Sequence, residues 1–232
     1  MTQEVLQKRK QLEANVSNLR SRVEEMELKQ NELKQSQEAL EKNKKDVEEN
    51  IDFEYEVEVP YKEKVDIDRS VASVAVCCTV CEENCHYPGC WWVSNISWCS
   101  VMKDNHCRVC SNKCHYREHV KTAKIYVTKK KKEKRTYKDL KKKYKGKTED
   151  VLEKELQEFE TQKIKLVNEA FHCVETLEMI ALNTDSVLTL QHIDFLIEKM
   201  KEINEPEKAE ILKNIKKRAG EEKQGALGHI RK

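Results

Sequence analysis

Nine of the ten cysteines and all three tryptophans of this 232-residue chain fall between Cys77 and His119. Within that stretch one pattern occurs twice, Cys78-x2-Cys81-x3-Cys85-His86-Tyr87 and Cys107-x2-Cys110-x3-Cys114-His115-Tyr116, with a constant offset of 29 residues. Cys90 stands at the same offset from His119, so each copy supplies three cysteines, an adjacent histidine and a fourth cysteine or histidine. A Cys-x2-Cys turn can present two thiolates to one tetrahedral ion, and sulfur with an imidazole nitrogen suits zinc, whereas magnesium and calcium want oxygen. Two such turns about 30 residues apart are a zinc-binding spacing.

The competing reading is the disulfide framework of a secreted mini-domain. The first twenty residues are charged and heptad-patterned and lack the apolar core of a signal peptide, so reduced thiols in the cytoplasm are expected. The simplest assignment is two zinc ions, one held by Cys78, Cys81, Cys85 and Cys90 and the other by Cys107, Cys110, Cys114 and His119. An interleaved arrangement, in which both copies contribute to each ion, uses the same residues. Cys99 is a ninth candidate ligand, able to displace Cys85 or Cys90. Cys77 reads as a buried neighbour, and His86 and His115, each beside a ligand, read as supporting or packing residues.

Elsewhere the chain is built to hold this stretch in place. It is 38% hydrophobic, 6% aromatic and 37% charged, with five glycines and three prolines, a composition of long solvated helices. The net charge is +2, which gives no global bias toward acidic or basic partners, and no apolar run is long enough to span a membrane. Val5, Leu12, Leu19, Met26, Leu33, Leu40 and Val47 recur every seven residues, with Val16 and Val23 in alternate slots and Gln30, Gln37 and Lys44 as polar interruptions. That is a coiled-coil seam over 3–51. A second seam, Leu152, Leu156, Phe159, Leu166, Ala170, Cys173, Leu177 and Ile180, follows, so Cys173 is expected to be buried. The fold class expected is mostly α: an antiparallel coiled-coil hairpin with a small β and zinc module at its tip and a short C-terminal helical bundle. The corresponding segments are 1–51, 52–128, 129–182 and 183–232.

Between the seams, alternation of Phe53, Tyr55, Val57 and Val59 with Glu54, Glu56 and Glu58 predicts a strand ending at Pro60. Further extended pieces are expected at 65–67 and 71–76. A strand over 124–128 would pair with the first and set lysines against glutamates. From Lys129 to Lys147 twelve lysines or arginines meet two acids. Nucleic-acid binding by this run is a secondary reading, because aromatic interleaving is sparse and acidic faces are near. Gly146-Lys147-Thr148 lacks the upstream glycine of a phosphate-binding loop, and Thr148 reads as a helix cap. Thr189 is expected to cap a helix carrying Ile193, Leu196 and Met200, and Pro206 to open another that frays toward Gly220, Gly225 and Gly228.

Phe53 to Val59, the Cys-His-Tyr-Pro segment at Cys85 to Pro88, the cysteine run from Cys107 to His115, His119 and Tyr137-Lys138-Asp139-Leu140 together resemble the cysteine-rich C-terminal region of P-loop GTPase-like proteins related to the immunity-associated GTPases. The resemblance covers nearly the whole chain but not the GTP-binding domain, which is absent. It implies a cytosolic accessory region, a fragment or a stand-alone regulatory module, and it supports Cys99 and His119 as members of the metal cluster. No catalytic pattern such as His-Glu-x-x-His is present, so a non-enzymatic interaction module is the reading. A zinc-dependent ubiquitin ligase of the RING or B-box type is the alternative, although its first Cys-x2-Cys is followed by a longer gap. One of Trp91 and Trp92 is expected to be exposed as a partner contact, with at least one of the three tryptophans packed inside. Self-association through the seams is open. Removing zinc is expected to unfold the module and spare the helices.

Overall fold

The computed structural model describes residues 3–144, 148–180 and 187–230, with the backbone alone at 148–149, 187–189 and 220–230. Gly146 and Lys147, the connector at 183–186 and the side chains of Thr148 and Thr189 therefore lie outside the described residues. Six helices and seven strands are described: α1 (Gln3–Lys42), α2 (Lys44–Glu48), β1 (Glu54–Asp66), β2 (Ala75–Cys78), β3 (Glu83–His86), β4 (Met102–Lys103), β5 (His106–Cys107), β6 (His119–Thr122), β7 (Lys124–Thr136), α3 (Tyr137–Lys143), α4 (Thr148–Ile180), α5 (Val187–Glu202) and α6 (Pro206–Ile230). They make two compact units. One is assembled from Arg22–Glu63 and Val127–Lys165, the other from Met1–Ser21, Lys64–Tyr126 and Leu166–Lys232. Each draws on stretches far apart in sequence, where the sequence had suggested four consecutive segments.

In the first unit α1 does not continue to residue 51. It stops at Lys42, where the Asn43 side chain donates to the Ala39 carbonyl at 2.8 Å and its backbone leaves the helical region. Asn side chains bond nearby backbone in this way in competition with the helical ladder. Strands β1 and β7 form a two-stranded ribbon. It runs through Pro60 to Asp66, not ending at the proline, and β7 runs on from 128 to Thr136. The Glu58 N–H is turned away from β7 to Gln35 Oε1 at 2.8 Å, and residue 60 presents its nitrogen to that same outer edge, where a missing N–H costs no ladder bond.

The lysine run is answered as it passes along this ribbon. Lys129 pairs with Glu63 at 2.6 Å, Lys130 with Glu58 at 2.7 Å and Arg135 with Glu32 at 2.7 Å. Beneath it Leu33, Leu40, Tyr55, Val57, Tyr137, Leu140, Tyr144 and Leu152 form one core, with Phe53 stacked on Tyr137 at 5.3 Å. Thr136 caps α3 by accepting from the Asp139 N–H at 3.1 Å. The seam glutamine Gln30 donates to Glu160 at 2.8 Å. The core here is therefore helix against ribbon, and not two helical seams alone.

The second unit joins the cysteine-rich segment to a helical core. Leu12, Val16, Leu19, Val167, Ala170, Phe171, Val174, Leu177, Ile193, Leu196, Met200, Leu212 and Ile215 are all buried. The α5–α6 junction turns on Asn204 at φ 60, with the Glu205 N–H returning to the Met200 carbonyl at 2.8 Å. Asn is among the few side-chain-bearing residues that adopt this conformation readily, and Pro206 then opens α6 with a preset φ. Helix α5 begins at Val187, ahead of the expected cap at Thr189, and the α6 backbone remains helical to Ile230, past the glycines expected to fray. Cys173 on α4 is half-buried and burial raises its thiol pKa.

His192 on α5 is a half-buried base. Burial first, and then Arg20, pull its pKa from 6.5 down to about 4, and its Nδ1 has no hydrogen-bond partner. The unfolded chain takes up a proton near 6.5 while the folded chain resists to about 4, so this histidine's contribution to stability is whole above 6.5 and is lost as the pH falls through that window. By pH 5 the loss is about 2 kcal/mol. Urea midpoints at pH 7 and pH 5 should converge for His192→Leu relative to wild type. An equal acid drop in both proteins would show that His192 protonates freely in the folded state.

Candidate metal centre

The three-stranded antiparallel sheet β3-β2-β6 sorts the cysteines by face. Cys78 stands opposite Glu83 on β3 and His119 on β6. Cys85 falls at a register irregularity of β3, between the paired residues Asn84 and His86, and is buried in one core with Cys78. Cys77 points the other way, into a separate cluster with Ile67 and Ala75, its sulfur 3.4 Å from Asn84 Oδ1 and 3.6 Å from the Lys124 carbonyl. Burial pushes its thiol up to about 11. Cys77 is a packed neighbour and joins none of the metal-ligand groups found among the described residues.

Three groups of donor atoms converge, each with all members within 4.8 Å of one another: Cys78, Cys81, Cys110 and Cys114; Cys85, Cys107, Cys110 and His119; and His86, Cys90 and Cys99. The consecutive assignment is not the one the chain adopts. The two copies exchange their third cysteines, Cys114 joining the first pair and Cys85 the second, and Cys110 belongs to both four-membered groups. Cys90 leaves both for Cys99 and His86, so His86, read from the sequence as a supporting residue, is a donor in its own right. His115 joins no such group. It caps the turn at 116–118 by accepting from the Arg117 N–H.

The spacing fits a tetrahedral ion. With metal–sulfur bonds near 2.3 Å, neighbouring ligand sulfurs sit about 3.8 Å apart. Here Cys81 Sγ lies 3.6 Å from Cys114 Sγ, and Cys110 Sγ lies 3.8 Å from His119 Nε2. The backbone is shaped for thiolates. Cys78 receives the Cys81 N–H at 3.4 Å, Cys107 receives the Val109 and Cys110 N–H groups at 3.3 and 3.4 Å, and Cys110 receives the Cys114 N–H at 3.3 Å. His119 Nδ1 lies 3.0 Å from the His115 carbonyl. A carbonyl only accepts, so Nδ1 carries the proton and Nε2 is left with its lone pair toward the sulfurs.

Packed so closely without a cation, the thiols cannot all ionise. Hydrogen bonding from Cys110 and then Cys85 draws Cys107 down to about 3, while Cys107 and Cys110 push Cys85 far up. Cys99 likewise lowers Cys90 to about 4, and Cys90 raises Cys99. A soft dication in place of the shared protons would let every sulfur carry its charge.

Other residues hold the groups in place. The β4–β5 hairpin, Met102 opposite Cys107, turns at Asp104 and Asn105, both with positive φ, as a two-residue hairpin loop demands. Gly89 passes so close to the strand leading into β2 that an added Cβ would sit 2.8 Å from the Val74 carbonyl. From α1, Ala14 enters the same core as the cysteines, and Asn18 one turn later donates to Glu83 Oε2 at 3.0 Å. Glu83 also accepts from the Ser111 N–H at 3.1 Å and its hydroxyl at 2.5 Å. The heptad reading missed Ala14 and Asn18 because it follows one face only. The signal available was that residues 11–20 carry small or apolar residues outside the seam. Glu83→Ala would remove the acceptor of the buried Asn18 amide, which keeps only the Asn84 carbonyl at 3.4 Å, and of the exposed Ser111, and should lower unfolding free energy by about 1–3 kcal/mol, while Asn18→Ala, which also removes a buried amide oxygen without a partner, should cost less. Equal midpoints in denaturant for Glu83→Ala and wild type would show that this cluster does not anchor α1.

Exposure at Trp91 and Trp92 agrees with expectation, and the tryptophan expected to pack inside does not. Trp91, Trp92 and Trp98 are 68%, 54% and 72% exposed, and none packs inside. The interior is instead filled by six cysteines with Ala14, Val76, Val101, Met102 and Val109. No described helix is long and apolar enough to cross a membrane. No family model, curated protein or solved structure matches the chain.

Proposed function

We propose that the protein is a non-enzymatic, zinc-stabilised interaction and regulatory module of the cytoplasm, in keeping with the resemblance of its cysteine-rich segment to the accessory region of immunity-associated-type GTPases. The observation that carries this reading is the sharing of Cys110 between two four-donor groups. Six cysteines and one histidine then surround two ions, with Cys110 as a bridging thiolate. Sulfur and imidazole in tetrahedral spacing favour zinc over oxygen-seeking ions. Each of these two ions would have its four positions filled by protein, the arrangement of structural zinc rather than catalytic zinc. The exposed tryptophans beside the cluster are the partner surface in this reading.

Elemental analysis of the chain purified without chelator tests it. At least two zinc ions per chain, retained through dialysis, is the expected result. A metal-free, folded protein with ten titratable thiols would overturn it.

A further inference from the structure

The third group differs from the other two in having only three members. Resting on the metal reading above and extending it, we propose that His86, Cys90 and Cys99 hold a third, separate ion whose fourth ligand comes from outside the chain, a water molecule or a small inorganic anion. His86 Nδ1 lies 3.1 Å from Cys99 Sγ and 3.4 Å from Cys90 Sγ, and the two sulfurs are 4.0 Å apart. These are the edges of one face of a tetrahedron, for which about 3.6 Å between nitrogen and sulfur and about 3.8 Å between sulfurs are expected. Among the described residues no fourth cysteine, histidine or carboxylate completes the group. The Ser100 hydroxyl lies 3.9 Å from Cys90 Sγ, but a neutral hydroxyl is not among the cysteine, histidine and carboxylate side chains that zinc takes as ligands. The sulfurs are prepared as those of the four-donor groups are, Cys90 receiving the Ser100 N–H and Cys99 the Val101 N–H. All three side chains are buried.

Cys90 and Cys99 are also the two ends of the loop that carries Trp91, Trp92 and Trp98, all of the protein's tryptophan. Within that loop the chain is tied by the 3-10 turn at Ile96–Trp98, capped by Asn95, and by Lys121 Nζ, which donates to the Trp91 and Val93 carbonyls at 2.8 and 2.7 Å. The ion closes the loop at its base. Tryptophan emission therefore reports on this site, and two-cysteine, one-histidine ligation with an open position leaves room for an added ligand.

The test uses the full chain. Native mass spectrometry should count three zinc ions in wild type and two in both Cys90→Ser/Cys99→Ser and His86→Gln, the second variant keeping both thiols in case the first fails to fold. Graded chelation of wild type should remove one ion first, with a shift in tryptophan emission that the variants lack. With cobalt in place of zinc, azide should change the visible ligand-field bands of wild type and leave those of the variants alone. Two ions in wild type and variants alike would overturn the third site, leaving a hydrogen-bonded thiol cluster. Three ions with cobalt bands indifferent to azide would overturn the open position. No ion at all would sink the zinc reading of the two four-donor groups together with this one.

Discussion

Replacing Cys110 with alanine should release two ions, where replacing Cys81 releases one. Cys110 alone belongs to both four-donor groups, so its loss leaves each with three ligands and removes the link between them. Structural zinc sites bind with apparent energies of about 10–16 kcal/mol each, so the loss of both ions would remove more than the stability of an ordinary domain, about 5–15 kcal/mol. The variant should therefore lose order from β2 to β6 as well as metal, and Cys81→Ala should keep the second ion and much of the sheet. Native mass spectrometry in a weak competing chelator reads the count directly. Release of a single ion from Cys110→Ala would show that its sulfur serves one site only.

A strong chelator should unfold the cysteine-rich segment while most helical circular dichroism persists. Six of the eleven residues in its buried core are cysteines, and six thiols deprived of cations bury too little hydrocarbon to hold three short strands, at about 25 cal/mol per Å² of apolar surface. The helical core in the same unit, with Val16, Val167, Ile193, Leu196, Met200, Leu212 and Ile215 buried, contains no ligand, and the ribbon unit contains none either. Amide exchange should accelerate over residues 75–122 and, through the lost Asn18–Glu83 contact, modestly around residue 18. Protection unchanged over 75–122 after metal removal would mean that the fold is independent of the ions. Collapse of the whole helical signal would mean that the helices depend on them.

The cysteine spacing was the most legible part of the chain, since ligand chemistry is local: a turn of two intervening residues can present its pair of sulfurs whatever lies beyond. Partner choice was not legible. Whether Cys85 joins Cys78 or Cys107 depends on the cross-strand register that places Cys78 opposite His119, a long-range property with no mark in the spacing. His86 reads as support because it follows Cys85, yet the register slips between Val76 and Cys77, setting His86 opposite Val76 with Cys85 left over between the paired residues, and at such an irregularity two neighbours can serve different groups. The seams correctly named Leu12, Val16, Leu19, Val23, Leu33 and Leu40 as buried. A seven-residue repeat names the buried stripe and is silent on whether a helix, a ribbon or both will cover it. Pro60 reads as a strand end, yet in a two-stranded ribbon a proline whose nitrogen faces the unpaired edge costs no ladder bond, and the strand runs on to Asp66.

The patchwork make-up of the cysteine-bearing unit has a consequence for synthesis. Its helical core needs residues 12–19 from α1 together with residues from α4, α5 and α6, and the sequence between them includes the entire ribbon unit. On the ribosome the amphipathic start of α1 emerges long before its partners exist, and at roughly 5–20 residues per second the wait is on the order of ten seconds or more. The nascent chain must carry an exposed apolar stripe through that interval. Holding by a chaperone would shield it and, on the zinc reading proposed above, so would early capture of Ala14 and Asn18 by a cysteine segment that has taken up metal, which would tie metal supply during translation to the yield of folded protein.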